Sequence, residues 1–348
     1  MKFSVDSKEL QKAVIHCGNV ISGRSTLPVL SNIYVAAGDK LNVSATDLEK
    51  FMSIEVPANI DVVGNCCVPA GVFKEWLATV SGELSFSLDE AKLKGTSGES
   101  HITLLTLPGE DFPAFPEVTG ESRELPAAEF QDGLKRVLDA TNTEETRAML
   151  TGVLLDDNTL VATDTHRLHK VMLTESVSDS KTIIPASALK IVANLQGESL
   201  FMTVQESLAS FKCGDTTFIT RVIDGQFPSY DRVIPKESTS TAIVNRAELQ
   251  AALRRIGVIA NKNEMFKIII DWETGALSAT SQEVGMGQDS VNIALEGEGF
   301  KQGVNRKYLE NVLDSVKSED VTFDLSGALL PIKVESGDFL AVLMPMSI

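Results

Sequence analysis

Cysteine and histidine are both scarce in this chain, with four of each among 348 residues. Cys17, Cys66, Cys67 and Cys213 form no CxxC pair, and residues 66 and 67, if on a strand, point to opposite faces. This excludes a disulfide framework and a cysteine-based zinc site, and predicts buried thiols in a reducing compartment. The roughly 18 consecutive apolar residues of a membrane span are absent, and the Met1-Lys-Phe-Ser-Val5 start has no apolar signal core. The expectation is a cytoplasmic chain with no membrane partner. Phosphate cradles are missing too: Gly285-Met-Gly287 lacks a third glycine and the glycines of Gly297–Gly303 are wrongly spaced. No Ser-His-Asp order suggests a nucleophile. The nearest approach to a metal cluster is Asp164-Thr-His166-Arg-Leu-His169. Zinc-binding helices space histidines at i and i+4, whereas these lie at i and i+3 in a strand-like run, Leu160–Leu173, and face opposite sides. No metal, no cofactor and no catalysis is expected.

What the chain does have is repetition. Phe3-Ser-Val-Asp-Ser-Lys-Glu-Leu10, Glu124-Leu-Pro-Ala-Ala-Glu-Phe130 and Ala242-Ile-Val-Asn-Arg-Ala-Glu-Leu249 each read as a short strand running into a helix. Val68-Pro-Ala-Gly-Val-Phe73, Ile184-Pro-Ala-Ser-Ala-Leu189 and Val304-Asn-Arg-Lys-Tyr-Leu309 repeat that opening midway. The anchors Leu10, Phe73, Phe130, Leu189, Leu249 and Leu309 therefore recur about every 60 residues, the mark of one unit used repeatedly. Polar, turn-rich linkers at Pro116–Ser122 and Lys236–Ser240 bound three domains, 1–117, 123–235 and 241–348, each of ordinary domain size.

Each half-repeat reads as one helix followed by several short strands. Leu10-Ala13-Val14-Cys17, Leu249-Ala252-Leu253-Ile256 and Leu309-Val312-Leu313-Val316 are apolar at i, i+3, i+4 and i+7, one stripe facing a sheet. The fold class expected is α+β, two helices packed on antiparallel sheets in each domain. The chain carries net charge −17, which alone argues against nucleic acid. Its distribution argues otherwise. Helices expected at 7–24, 71–80, 127–140, 186–196, 246–262 and 305–317 hold 14 of the 31 Lys and Arg but only 8 of the 48 Asp and Glu. Helix surfaces in general favour Lys and Arg, which is the plainer explanation. The other is a cationic helical layer facing DNA, with Lys74, Lys135, Arg136, Arg254, Arg255, Arg306, Lys307 and Lys317 upon it. Two three-domain arcs joined end to end would line a ring with such helices.

Several motifs in order carry a resemblance: Arg24-Ser-Thr-Leu-Pro-Val-Leu-Ser-Asn32, Thr46-Asp-Leu-Glu49, Thr106-Leu-Pro-Gly-Glu-Asp-Phe-Pro113, Ala162-Thr-Asp-Thr-His-Arg-Leu168, Asp224-Gly-Gln-Phe-Pro-Ser-Tyr230 and Val342-Leu-Met-Pro-Met346. Over essentially its whole length the chain resembles the bacterial DNA sliding clamp family, the beta subunit of DNA polymerase III. The resemblance implies a non-catalytic, head-to-tail homodimeric ring of three-domain protomers around duplex DNA. It also implies partner DNA polymerases, a clamp loader, and other replication and repair proteins with clamp-binding peptides. A clamp of a phage or plasmid system and a protein-binding scaffold are the alternatives.

The same resemblance implies sites. The partner-peptide pocket would comprise Arg147, Met149, Leu150, Thr163, Thr165, His166, Arg167, Leu168, Pro228, Arg232, Val233, Val342, Met344, Pro345 and Met346. Arg24, Asn305 and Tyr308 match positions that approach DNA. Ile102 and Leu104 of the first domain would meet Ile259 and Ala260 of the third across the dimer joint. The chain departs from the family at Thr165, often glycine, and at Ser347, commonly basic.

Overall fold

The computed structural model describes residues 1–21, 27–260 and 265–348, with Glu145 described only by its backbone. Arg24 lies outside the described residues. Six α-helices are described: α1 (Ser7–Gly18), α2 (Ala70–Leu77), α3 (Ala127–Leu138), α4 (Ala186–Val192), α5 (Arg246–Ile256) and α6 (Arg306–Ser315). Their starts follow local chemistry. Asp6, Asn245 and Asn305 accept hydrogen bonds from the first free amides of α1, α5 and α6. Prolines 69 and 185 immediately precede α2 and α4. All six helices end sooner than the charge pattern suggested. Gly257 ends α5, where an added Cβ would lie 2.7 Å from the Arg306 guanidinium and from the Leu253 carbonyl. Lys317 thus lies beyond α6, and the expected helical cation surplus shrinks. No described helix is long and apolar enough to cross a membrane.

By compactness the chain divides into two units, Met1–Ala128 with Asn194–Val222 and Glu129–Ala193 with Ile223–Ile348. The division runs through the middle repeat, because its strands complete a sheet in each unit. In the first unit, one sheet orders Ala58–Val62, Lys2–Asp6, Glu83–Asp89, Lys92–Ser97 and Ser100–Leu105. The other has nine strands, and its seam pairs Lys50–Val56 with Thr216–Arg221. In the second unit, a nine-stranded sheet pairs Arg167–Met172 with Phe339–Leu343. A four-stranded sheet orders Gly285–Ser290, Ala276–Ser281, Lys267–Asp271 and Lys301–Asn305. Every pairing among the described residues is antiparallel, and helices bury the predicted stripes; α1 buries Leu10, Ala13, Val14 and Cys17, and α5 buries Leu249, Ala252, Leu253 and Ile256. The run Leu160–Leu173 is not one strand: Thr159–Thr163 and Arg167–Met172 form a hairpin. All four cysteines are free and buried.

A polar cluster locks α3 to the second seam. Arg136 is only 5 % exposed, which corrects its assignment to a DNA-facing surface. Its Nε donates to the Ser315 carbonyl at 3.0 Å, its terminal nitrogen reaches Asp338 at 2.6 Å, and its guanidinium covers the Phe339 ring at 5.0 Å. A buried guanidinium keeps its charge and therefore needs such partners. Burial pushes the Asp338 carboxyl up, but the bond and charge of Arg136 outweigh this and hold it below its usual range. His169 is fully buried beside Phe339, and its Nδ1 donates to the Arg136 carbonyl at 2.7 Å. Desolvation lowers its pKa to about 4 despite that bond.

Since the folded pKa of His169 lies below the ordinary 6.5, the unfolded chain binds the extra proton between these values. The stability this neutral histidine contributes is full above pH 6.5 and is lost as pH falls toward 4. The loss by pH 5 is about 2 kcal/mol relative to pH 7.5. Urea unfolding at both pH values should show this drop in the wild type and a smaller one in His169→Asn, which keeps the donor without the titration. His16 titrates in the same direction in both proteins, so equal drops would remove His169 as the cause.

Candidate functional site

The turn Thr163–Arg167 closes the hairpin beside the second seam. Thr163 Oγ1 donates to the Arg167 carbonyl at 2.6 Å and accepts from the Thr165 amide at 3.1 Å. One Asp164 carboxylate oxygen accepts from the amides of His166 and Arg167, and the other holds the Arg167 guanidinium at 3.0 Å. This double network keeps Thr165 at φ +79°, a left-handed conformation strained for a β-branched side chain. The turn therefore forms with threonine in place of glycine, and its side chain lies at the mouth of a cleft.

That cleft has a volume of about 190 Å³. Of the predicted pocket residues it brings together Thr163, Thr165, Arg167, Leu168, Pro228, Val233, Val342 and Met344. Leu168 and Val342 face each other across the seam ladder and belong to a buried cluster with Leu150, Leu154, Val161, Ile183, Phe227 and Tyr230. Val233 and Met344 remain 48 % and 39 % exposed, so apolar surface faces solvent at the rim. The Met344 amide donates to the His166 carbonyl at 2.9 Å, tying the terminal segment to the turn.

The other predicted pocket residues do not line the cleft. Leu150 lies in the cluster behind it and Met149 packs against that cluster. Arg147, His166 and Arg232 are exposed nearby in sequence, and Pro345 and Met346 are half-buried, with the Met346 amide donating to the Gly303 carbonyl. Ser229 and Tyr230, which do line the cleft, were missed although they stand inside the Asp224–Tyr230 motif. Burial, and then Asp231 and Asp156, push the Tyr230 hydroxyl up to about 12, so it stays a neutral donor, 3.4 Å from Asp156. Among the described residues no group of three or more His, Cys, Asp and Glu could hold a metal.

Arg167 reaches beyond the cleft. Its guanidinium lies 4.2 Å from the centre of the Tyr308 ring, donates to Asn311 at 2.7 Å and contacts the Asp139 carbonyl. Tyr308 is thereby placed beside the turn. Asn305 caps α6, and Arg306 is half-buried in an ion pair with Glu310 at 2.5 Å. Arg255 is tied to Asp289 at 2.6 Å and Lys317 to Asp132 at 2.7 Å, both still largely exposed. Lys74, Lys135, Arg254 and Lys307 are exposed, the last above the Phe266 ring.

At the predicted dimer joint, Ile102 is half-buried and Leu104 buried on Ser100–Leu105, the edge strand of the first unit's five-stranded sheet. Ile259 is half-buried and packs toward Gly287, where an added Cβ would lie 3.1 Å from it. Gly287 belongs to Gly285–Ser290, an edge strand of the second unit's four-stranded sheet. Ala260 is 0 % exposed, so its methyl has no surface to offer a partner, which corrects that assignment.

Comparison with known proteins agrees along the whole chain. Residues 1–116, 124–229 and 231–347 match the N-terminal, central and C-terminal domains of the DNA polymerase III beta subunit. The chain is 32 % identical to the beta sliding clamp of Proteus mirabilis, covering 99 % of this chain and 100 % of that protein. It is 28 % identical to the beta sliding clamp of Synechocystis over 95 % of each. A crystallised sliding clamp from Bartonella birtlesii, bound to griselimycin, superposes with a TM-score of 0.94 at 28 % identity, covering 100 % of both chains. The chain belongs to the DNA polymerase III beta subunit family, the bacterial beta sliding clamps.

Proposed function

We propose that this sliding clamp closes with a second copy, head to tail, into a ring around duplex DNA. We propose also that the cleft at the second seam receives short hydrophobic peptides of DNA polymerases, the clamp loader and other replication and repair proteins. The protein works without catalysis, as the processivity factor that keeps a polymerase on its template. Domains at 1–117, 123–235 and 241–348 and a cytoplasmic setting belong to the same reading. The observation that carries it is the cleft itself. An apolar floor of Leu168 and Val342, a flexible Met344 at the rim, and Thr and Arg groups able to bind a peptide backbone or carboxylate suit a short linear ligand. The related Bartonella clamp, which takes griselimycin, supports ligand binding on this fold.

Two further features favour the ring. Ser100–Leu105 and Gly285–Ser290 are edge strands with unpaired backbone groups, and Leu105 and Met286 are exposed on them. Pairing one with its counterpart on a second copy would cover both edges. Lys74, Lys135, Arg254 and Lys307 supply cations for phosphate without reading sequence. A few such contacts give weak, salt-sensitive binding compatible with sliding.

Fluorescence anisotropy with a labelled peptide of the Gln-Leu-x-Leu-Phe type should give saturable binding. Met344→Ala with Val233→Ala should weaken it about tenfold or more, as expected for removing two apolar side chains that a bound peptide would cover. Unaltered affinity in the folded variant would move the peptide elsewhere. For DNA, Lys135→Glu with Arg254→Glu should shorten retention on nicked circles several-fold and flatten its salt dependence. Retention equal to wild type would remove these helix faces from the DNA path.

A further inference from the structure

The turn beside the cleft has a twin in the first unit. Thr46 Oγ1 donates to the Lys50 carbonyl at 2.9 Å and accepts from the Leu48 amide at 2.9 Å. Asp47 accepts from the amides of Glu49 and Lys50, and its carboxylate pairs with the Lys50 ammonium at 2.8 Å. Leu48 has φ +75°, matching Thr165 at +79°. The Arg221 amide donates to the Glu49 carbonyl as the Met344 amide donates to that of His166. Bond for bond, Thr46–Lys50 is Thr163–Arg167.

The strands around each turn keep the same register. Phe51 faces Thr46 in its hairpin and Ile219 across the first seam, as Leu168 faces Thr163 and Val342 across the second. Asn32 pairs with Pro69 just before α2, and Gly152 with Pro185 just before α4, which places Tyr34 where the second unit has Leu154. Phe112-Pro-Ala-Phe115 corresponds to Phe227-Pro-Ser-Tyr230.

The contents differ: Val161, Ile183 and Tyr230 correspond to the smaller Ser44, Cys67 and Phe115, but four positions at the turn and along the seam change the other way. Thr165, Leu168, Leu154 and Val342 correspond to Leu48, Phe51, Tyr34 and Ile219, each larger. The extra volume is aromatic and packed together: Phe51 meets Phe115 edge-on at 5.6 Å, Tyr34 stacks on Phe112 at 4.8 Å, and Phe112 lies 6.5 Å from Phe115. At the rim, the cation Arg221 stands where the second unit has Met344. We infer that the first seam is a second peptide cleft of the same construction, filled by the chain's own side chains. It takes the same apolar peptide once they are cut back. The inference rests on the peptide reading of the second seam, and it means that each chain binds one peptide, not two.

Calorimetry with the Gln-Leu-x-Leu-Phe peptide tests this by stoichiometry. The wild type should bind one peptide per chain. The variant Tyr34→Leu, Leu48→Thr, Phe51→Leu and Arg221→Met should bind two. Two sites in the wild type, or one in the folded variant, would overturn the inference. If the variant fails to fold, the reciprocal change decides: Thr165→Leu with Leu168→Phe should abolish binding in a protein whose circular dichroism is native, and retained binding overturns the inference. A wild type that binds no peptide at all refutes the cleft reading, and the inference falls with it.

Discussion

One ladder of backbone hydrogen bonds governs the second unit: the antiparallel pairing of Arg167–Val171 with Phe339–Leu343. It joins a strand of the middle repeat to the penultimate stretch of the last, making a single sheet from segments about 170 residues apart in sequence. The cleft follows from it, since Leu168 and Val342 form its floor only because the ladder sets them opposite each other. The buried polar cluster follows as well. His169, one residue on, turns to the other face of the sheet, where Phe339 and Arg136 meet it. Alternation along a single strand thus gives one face to the cleft and the other to structural locking.

The same locking limits the charge argument. The helices are richer in cations than the rest of the chain, yet part of that charge is used inside the protein. Lys135 and Arg136 are neighbours on α3, separated by roughly 100° around its axis. The first faces solvent and the second reaches Asp338 and the Ser315 carbonyl. Arg306 and Arg255 are tied to Glu310 and Asp289. On the proposed reading, what is left for phosphate is a sparser set of lysines and arginines, and for a protein that must slide, sparse contact is an advantage.

The repeat, the helix stripes and the motifs around the cleft were legible in the sequence because each depends on local spacing. Leu10-Ala13-Val14-Cys17 had to face a sheet whatever else the chain did. The misreadings share the opposite character. Arg136 could be placed only by knowing that Asp338, 202 residues later, would stand beside it. Ala260 matches an interface position of the family, yet it is fully buried within its own chain. The run Leu160–Leu173 read as one strand because the turn at Asp164-Thr165 contains neither glycine nor proline. Ser229 and Tyr230 were overlooked as cleft residues because the signal there, a recurring Phe-Pro-x-aromatic, speaks first of packing.

That turn also explains how one frame could serve two purposes. A left-handed residue with a Cβ costs on the order of 1 kcal/mol or more, and both copies carry one, at Leu48 and at Thr165. Neither turn relies on glycine's conformational freedom. Instead the Thr hydroxyl and the Asp carboxylate hold four backbone groups in each copy, enough to fix the conformation whatever side chain stands at its centre. The central residue is thereby freed from defining the turn, and its size becomes a variable. With threonine there and leucine behind it, the seam has a cleft beside the turn. With leucine there and a phenylalanine behind, the corresponding space is packed with rings. Both repeats hold a left-handed residue at the centre of the turn, and on the proposed reading the difference in ligand binding comes from the volume of a few side chains set on the same hydrogen-bond pattern.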